Sequence, residues 1–425
     1  MRCAVDRTMA AEELTATLQK YAYAGSALTS GAHVYRVVYS TTRGTVPPSD
    51  GYSSALVFLP TVRRAERLPV IVVGHGSRGQ APHCAPSVGD PTNVDTEDDL
   101  ALLVLPLVGH GFAVVVPDLA GYANYGGAGN PPSGYASASD VARSIIDGAR
   151  ALTAIVPSSL TDDIVLIGHS QGGFTVLSAL AYLDAYGSNL NVAGAVLVAP
   201  LWLTQRTWGA ILALPSVYTT RDYPAPSAIS LWYHYTTAEL LDGPGGGLAL
   251  FRPEAQPAVQ RFIDTRCWGS DTWNYLRGMT DSVASLFDPA FVSAVGMAAA
   301  GFSMCPQDPT LRATCERWMG RYAADRPHLA GSALDVPLLI VWGGQDDTLP
   351  ADRISCALDR LRADGATIAG GCIDPAAGHA EVLASTSDHW VGWIASKTLG
   401  EPPPAACPAD LSFITATCNP VPPND

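Results

Sequence analysis

A chain of 425 residues that is 48% hydrophobic and only 15% charged can bury a large core, which excludes wholesale disorder. Its formal net charge of −14, with two lysines (Lys20 and Lys397) and no clustered Lys or Arg, excludes a phosphate-backbone partner. No apolar run reaches the roughly 18 residues of a membrane span, so no transmembrane segment is expected.

The first residues, MRCAVDRTMA, lack the apolar stretch of a signal peptide, which leaves a cytoplasmic protein or a chain whose leader has been removed. Cysteine usage favours the second. Nine cysteines include the close pairs Cys305 with Cys315, Cys356 with Cys372, and Cys407 with Cys418, and none forms a C-x-x-C metal pair. Disulfides in an exported, secreted or cell-surface protein are therefore expected, with Cys3 left over, either free or marking a lipid-anchored terminus. No metal and no cofactor is expected.

Two strand-like runs open the chain, His33 to Ser40 and Ser53 to Leu59, linked through Gly44, Pro47, Pro48 and Gly51. Three short β-branched apolar runs follow, Val70 to Val73, Phe112 to Val116 and Ile164 to Ile167, the pattern of strands buried on both faces of a parallel sheet. Between the last two, Val141, Ile145, Ala149 and Leu152 share one face of a helix. A helix over about 171–186 and a strand at Ala195 to Val198 continue the alternation, which predicts an α/β fold with a mostly parallel, doubly wound sheet over residues 1–200.

From 201 to 334 the rhythm breaks. That stretch holds Trp202, Trp208, Trp232, Trp268, Trp273 and Trp318, six of nine tryptophans, and reads as an inserted, mostly helical domain. Its aromatic side chains either make its own small core or face a pocket. The sheet resumes at Leu338 to Val341 and runs on through a strand-like 366–373, with helices near 351–363 and 380–397, so 335–400 completes the core. The tail, 401–425, is too rich in proline for a core element and is expected on the surface, pinned by Cys407 and Cys418.

The chemistry gathers where strands end. Ile164 to Ile167 runs straight into Gly168-His169-Ser170-Gln171-Gly172, a G-x-S-x-G turn from strand to helix. Such a turn holds a serine in a conformation that only tiny neighbours permit, and the helix start favours negative charge beside it. A serine hydroxyl needs a base, and the base an orienting carboxylate. Asp346, four residues before Pro350 and just past Leu338 to Val341, is the expected acid, with Asp347 as the alternative. His379, in a small-residue loop 33 residues later, is the expected base; His389, beside Trp390, suits packing. An oxyanion hole needs two backbone N–H groups. Gln171 supplies one, and the loop Gly74-His75-Gly76-Ser77-Arg78-Gly79 the other, through Ser77 first and Gly76 second, with His75 bracing the loop.

Other residues read as structural. His110 ends a helix, and Asp95 to Asp99, with capping-box spacing from Thr96, reads as a solvated helix start and not a metal site. Gly243, Gly245, Gly246 and Gly247 have neither the preceding strand nor the following lysine of a phosphate loop. Gly121 to Gly134 either lines the substrate mouth or is simply a long loop.

Taken in order, the HGSRG loop, GHSQGG, GGQDDTLP and GHAEVL resemble the motifs of the α/β-hydrolase family, over roughly 50–200 and 335–400. The long N-terminal lead, the phrase GFAVVVPDLAGYANYG and the insertion before the acid look like the secretory lipases of the fungal lipase A type. That resemblance implies an α/β-hydrolase fold with a helical cap over an acyl pocket, and a carboxylic-ester hydrolase acting on a small-molecule or lipid-like ester, with contact to lipid surfaces through the cap. A serine peptidase or amidase of the same fold and a non-catalytic binding module are the competing functions. An aspartate nucleophile, as in dehalogenases, is excluded by Ser170.

Overall fold

The computed structural model describes residues 1–89, 98–122, 131–202 and 205–418. Strands β1 (Arg2–Met9), β2 (Ala32–Arg43) and β3 (Ser49–Pro60) form an antiparallel lead. Helix α1 (Ala11–Gln19) lies between the first two, and β1 itself carries no signal in its composition. Then come β4 (Leu68–Gly74), α2 (Asp98–Gly109), β5 (Ala113–Pro117), α3 (Ala138–Ile155), β6 (Leu160–His169), α4 (Gln171–Ala181), α5 (Leu183–Tyr186) and β7 (Asn191–Val198). Strands β8 (Leu338–Gly343) and β9 (Ile368–Asp374) finish a sheet of order β1-β2-β3-β5-β4-β6-β7-β8-β9, parallel from β5 to β9.

Alternation along each strand sorts the core into two layers. Val70 and Val72 of β4 face one layer with α3 and α4, while Ile71 and Val73 face the other with α2. Every residue of β4 and β5 is buried, which is why these runs are apolar without a break. The helix expected over 171–186 is divided at Tyr182, and the one over 380–397 at Thr386.

Between β7 and β8 the chain is helical: α6 (Gln205–Ala213), α7 (Pro224–Asp242), α8 (Gln256–Thr265), α9 (Ser270–Met279), α10 (Pro289–Ala299) and α11 (Pro309–Ala324). Helix α7 is buried around most of its circumference, with His234 at its middle. That ring is enclosed by Trp208, Phe287, Phe291 and Trp318 at centroid distances of 5.2–5.8 Å, and its Nε2 pairs with the Tyr322 hydroxyl at 2.8 Å. Burial pushes His234 down to about 4, so it stays neutral and structural. The glycine run after α7 is structural too: Gly245 and Gly247 donate their N–H groups to the Glu239 carboxylate.

After β8, α12 (Ala351–Asp364), α13 (Glu381–Ser385) and α14 (Ser387–Thr398) lead into the tail. The cysteines pair as Cys84–Cys267, Cys305–Cys315, Cys356–Cys418 and Cys372–Cys407, and Cys3 is free and exposed. This corrects two expected pairs. Cys356 of α12 belongs to one core layer and Cys372 of β9 to the other, so the sheet stands between them. The tail instead turns round the edge strand, with Cys407 reaching one face and Cys418 the other. Between them Ala409 exchanges backbone hydrogen bonds with Ile373 at 2.9 and 3.0 Å, which covers the open edge of β9. Thiol titration in denaturant without reductant is therefore expected to find one reactive group of nine, and all nine after reduction. Several free thiols before reduction would contradict the four bridges.

Candidate active site

Ser170 joins β6 to α4 with φ 54° and ψ −119°, a left-handed strain for a residue with a side chain. Its flanking glycines are required by contact. A Cβ on Gly168 would stand 2.2 Å from the Gly172 carbonyl oxygen, and one on Gly172 only 1.8 Å from that of Gly74. The turn therefore packs directly against the end of β4. The Ser170 amide donates to Val198 O at 3.0 Å, which locks the turn onto β7.

Asp346 and His379 meet at one point. His379 Nδ1 donates to Asp346 Oδ2 at 2.7 Å, and Asp346 Oδ1 accepts from the Thr348 and Leu349 amides at 3.0 and 2.7 Å. Asp346 is thus buried and held from three sides, whereas Asp347 is exposed and its one hydrogen bond among the described residues is to the Thr348 hydroxyl, at 3.5 Å. His389 lies apart, donating through Nδ1 to Ala405 O at 2.8 Å. The His379 loop is tied to the Ser170 turn through His169: Nε2 of His169 donates to the His379 carbonyl at 3.0 Å, and the two rings lie 4.5 Å apart. Burial lowers the His379 pKa, the neighbouring His169 lowers it further, and the Asp346 carboxylate opposes both; the net shift is downward.

In the loop after β4, His75 donates from Nδ1 to Gly76 O at 2.7 Å and its Nε2 lies 3.3 Å from Asp118 O. Burial pushes it down to about 4, in keeping with a brace. The Gly76 amide is already committed to Asp99 Oδ2 at 2.7 Å. The Ser77 and Gln171 amides have no hydrogen-bond partner among the described residues. The Ser77 hydroxyl pairs with the Tyr135 hydroxyl at 2.7 Å.

Asp99 departs from expectation. It is 6% exposed and forms an ion pair with Arg78, so it is no solvated helix residue. Burial alone would raise its pKa, but the Arg78 guanidinium, His169 and the Gly76 amide hold it well below the carboxylate range. The rest of that acidic run, Asp95 to Glu97 with Thr96, lies outside the described residues, as do 123–130 of the Gly121–Gly134 loop. Composition around Asp99 gave no signal of burial. His169 was visible as the position before Ser170 in the G-x-S-x-G turn.

Ser170 and Ser77 open onto a cavity of about 260 Å³ walled by Leu201, Trp202, Ile211, Tyr218, Ile229 and Trp268. Its polar wall carries Asp347 and Arg353, the latter donating to Thr207 Oγ1 at 3.2 Å. Of the six tryptophans between 201 and 334, only Trp202 and Trp268 line this cavity, while Trp208 and Trp318 belong to the packing around His234. The Trp268 wall is fastened to the loop that carries Ser77, because its amide donates to Arg78 O at 2.9 Å and Cys267 is bridged to Cys84. No group of metal ligands surrounds the site among the described residues; the two candidate groups elsewhere consist of His83 or His389 beside disulfide sulfurs.

The profile of the Alpha/beta hydrolase family matches residues 95–391. The rice cell wall degrading esterase LipA of Xanthomonas oryzae is similar in structure, at a TM-score of 0.64 and 17% identity over 94% of this chain and 98% of that one. Candida antarctica lipase A in its closed state superposes at 0.62 with 17% identity, covering 98% of this chain and 86% of that one. No curated protein matches the sequence. Identities this low speak for the fold alone, whereas the family profile spans most of the chain. On that ground the chain belongs to the alpha/beta hydrolase family.

Proposed function

We propose that this hydrolase cleaves carboxylic esters through an acyl-enzyme, with Ser170 as nucleophile, His379 as general base and Asp346 orienting the imidazole. The observation that carries the reading is the 2.7 Å bond from His379 Nδ1 to Asp346 Oδ2, on a loop tied at 3.0 Å to the residue before Ser170. With Nδ1–H committed to the carboxylate, Nε2 keeps its lone pair and can take the serine proton. As Ser170 Oγ attacks, the carbonyl oxygen turns negative, and the unpaired Ser77 and Gln171 amides are the donors for it, at the positive end of α4. His379 then returns the proton to the leaving alkoxide, and water repeats the cycle to free the acid.

The segment 201–334 serves as a cap. Its side chains make most of the apolar wall, which favours acyl or aromatic esters over charged ones. A volume of about 260 Å³ is below that of sites for drug-sized ligands, so the acyl group is compact. Each CH₂ buried gains about 0.8 kcal/mol, roughly fourfold in specificity. Along p-nitrophenyl esters, kcat/KM is thus expected to climb over the first few acyl carbons and then level off or fall. A flat profile from acetate upward would show that the cavity does not hold the acyl chain. Four disulfides support an exported protein.

One observation favours a second reading. The exposed Asp347 carboxylate on the cavity wall is suited to a substrate ammonium group, as in aminoacyl-bond cleavage. Aminoacyl-anilides assayed beside the esters separate the two.

A further inference from the structure

The buried carboxylate of Asp99 touches both halves of the site without lining the cavity. Its Oδ2 accepts the Gly76 amide at 2.7 Å, one residue before Ser77, and lies 3.6 Å from His169 Nδ1. Its Oδ1 meets Arg78, one residue after Ser77. The amide at Ser77 is therefore bracketed by two residues that grip one carboxylate. On the far side, His169 holds the His379 carbonyl through Nε2 at 3.0 Å. That contact requires a proton on Nε2, since a carbonyl only accepts. The Asp99 carboxylate faces the other ring nitrogen, Nδ1, at 3.6 Å, an electrostatic contact without a hydrogen bond.

Space around the carboxylate is equally constrained. A Cβ on Gly76 would come within 2.5 Å of Asp99 Oδ2, so the glycine is what lets the loop close on it. A buried acid so placed is costly unless compensated, and Arg78 supplies the compensation. Helix packing alone would have been served by an apolar residue, as at the neighbouring Leu100, Ala101 and Leu102 of α2.

We propose that Asp99 is a positioning residue for the reaction, a strut that sets the Ser77 amide through Gly76 and Arg78 and sets the His379 loop through His169. The inference rests on the ester-hydrolase reading above. Among the described residues, the charged and titratable groups facing Asp99 include Arg78, His75 and His169, and those facing His379 include Asp346, His169 and Asp99.

Asp99→Asn exchanges one acceptor oxygen for an NH₂ group, which must then face either the Gly76 amide or Arg78. Displacing an oxyanion donor by a fraction of an ångström is expected to lower kcat on p-nitrophenyl butyrate by about 10- to 100-fold, with KM changed less than about threefold. The Asp99 charge also raises the His379 pKa, so its loss moves the acid limb of kcat/KM to lower pH, a change that loosened packing would not produce. If Asp99→Asn does not fold, as judged by its thermal transition, Arg78→Gln/Asp99→Asn removes the buried charges together and is read in the same two ways. A folded variant with parental kcat and an unmoved acid limb overturns the proposal. Ser170→Ala, run in parallel, keeps the two readings apart: an active Ser170→Ala sinks the ester-hydrolase mechanism, whereas an inactive Ser170→Ala beside a parental Asp99→Asn sinks only the strut.

Discussion

Ser170→Ala is expected to lower ester turnover by about 10⁴- to 10⁶-fold while leaving the thermal transition close to the parent's. The loss is large because the acyl-enzyme cannot form, and the remaining rate comes from the two amides and substrate binding alone. Stability is expected to hold because the folded turn already strains this residue at φ 54°, and an alanine there carries the same backbone cost. A fluorophosphonate probe is expected to label the parent at Ser170 only. Near-parental turnover by Ser170→Ala, or labelling at a different serine, would refute the assignment of the nucleophile.

The second large effect separates two adjacent carboxylates. Asp346→Asn is expected to cost about 10³- to 10⁴-fold in kcat, since an amide at that position favours the wrong imidazole tautomer, and His379→Ala at least as much. Asp347→Asn is expected to cost less than about tenfold on neutral esters, because its exposed carboxylate makes no contact with His379. The opposite ranking would move the acid by one residue. A pH profile adds a sign. Burial and His169 lower the His379 pKa, so its neutral, base-competent form persists to lower pH than for an ordinary imidazole near 6.5. The acid limb of kcat/KM is therefore expected below that value in the parent, and a limb above it would contradict the environment described for His379.

Much of this was legible because the governing contacts are local. The runs Val70 to Val73 and Ile164 to Ile167 are apolar throughout because both sides of β4 and β6 are covered. Gly168 and Gly172 sit around the serine because two backbones approach there more closely than any Cβ allows. What escaped was settled across the sheet. Cys356 and Cys372 are close in sequence, yet opposite layers separate them, and only the path of the tail decides their partners. Asp99 resembles its acidic neighbours until Arg78, 21 residues earlier, arrives beside it. The tryptophans between 201 and 334 looked alike in sequence, yet Trp208 and Trp318 surround His234, Trp202 and Trp268 wall the cavity, and Trp232 and Trp273 pack against Trp268 behind it.

The two bridges at the end of the chain have a topological consequence. Cys372–Cys407 closes a loop of 35 residues that contains His379, and Cys356–Cys418 closes one of 62 residues around it. In the chain-entropy picture, rings of this size each withdraw about 4 kcal/mol of freedom from the unfolded chain, less when one is nested in the other. The stretch bearing His379 is thus a ring within a ring, buttoned over the margin of the sheet. Thermal fraying at that margin leaves both rings closed, so the tail stays fastened to β9 and α12 until a reductant severs the bridges.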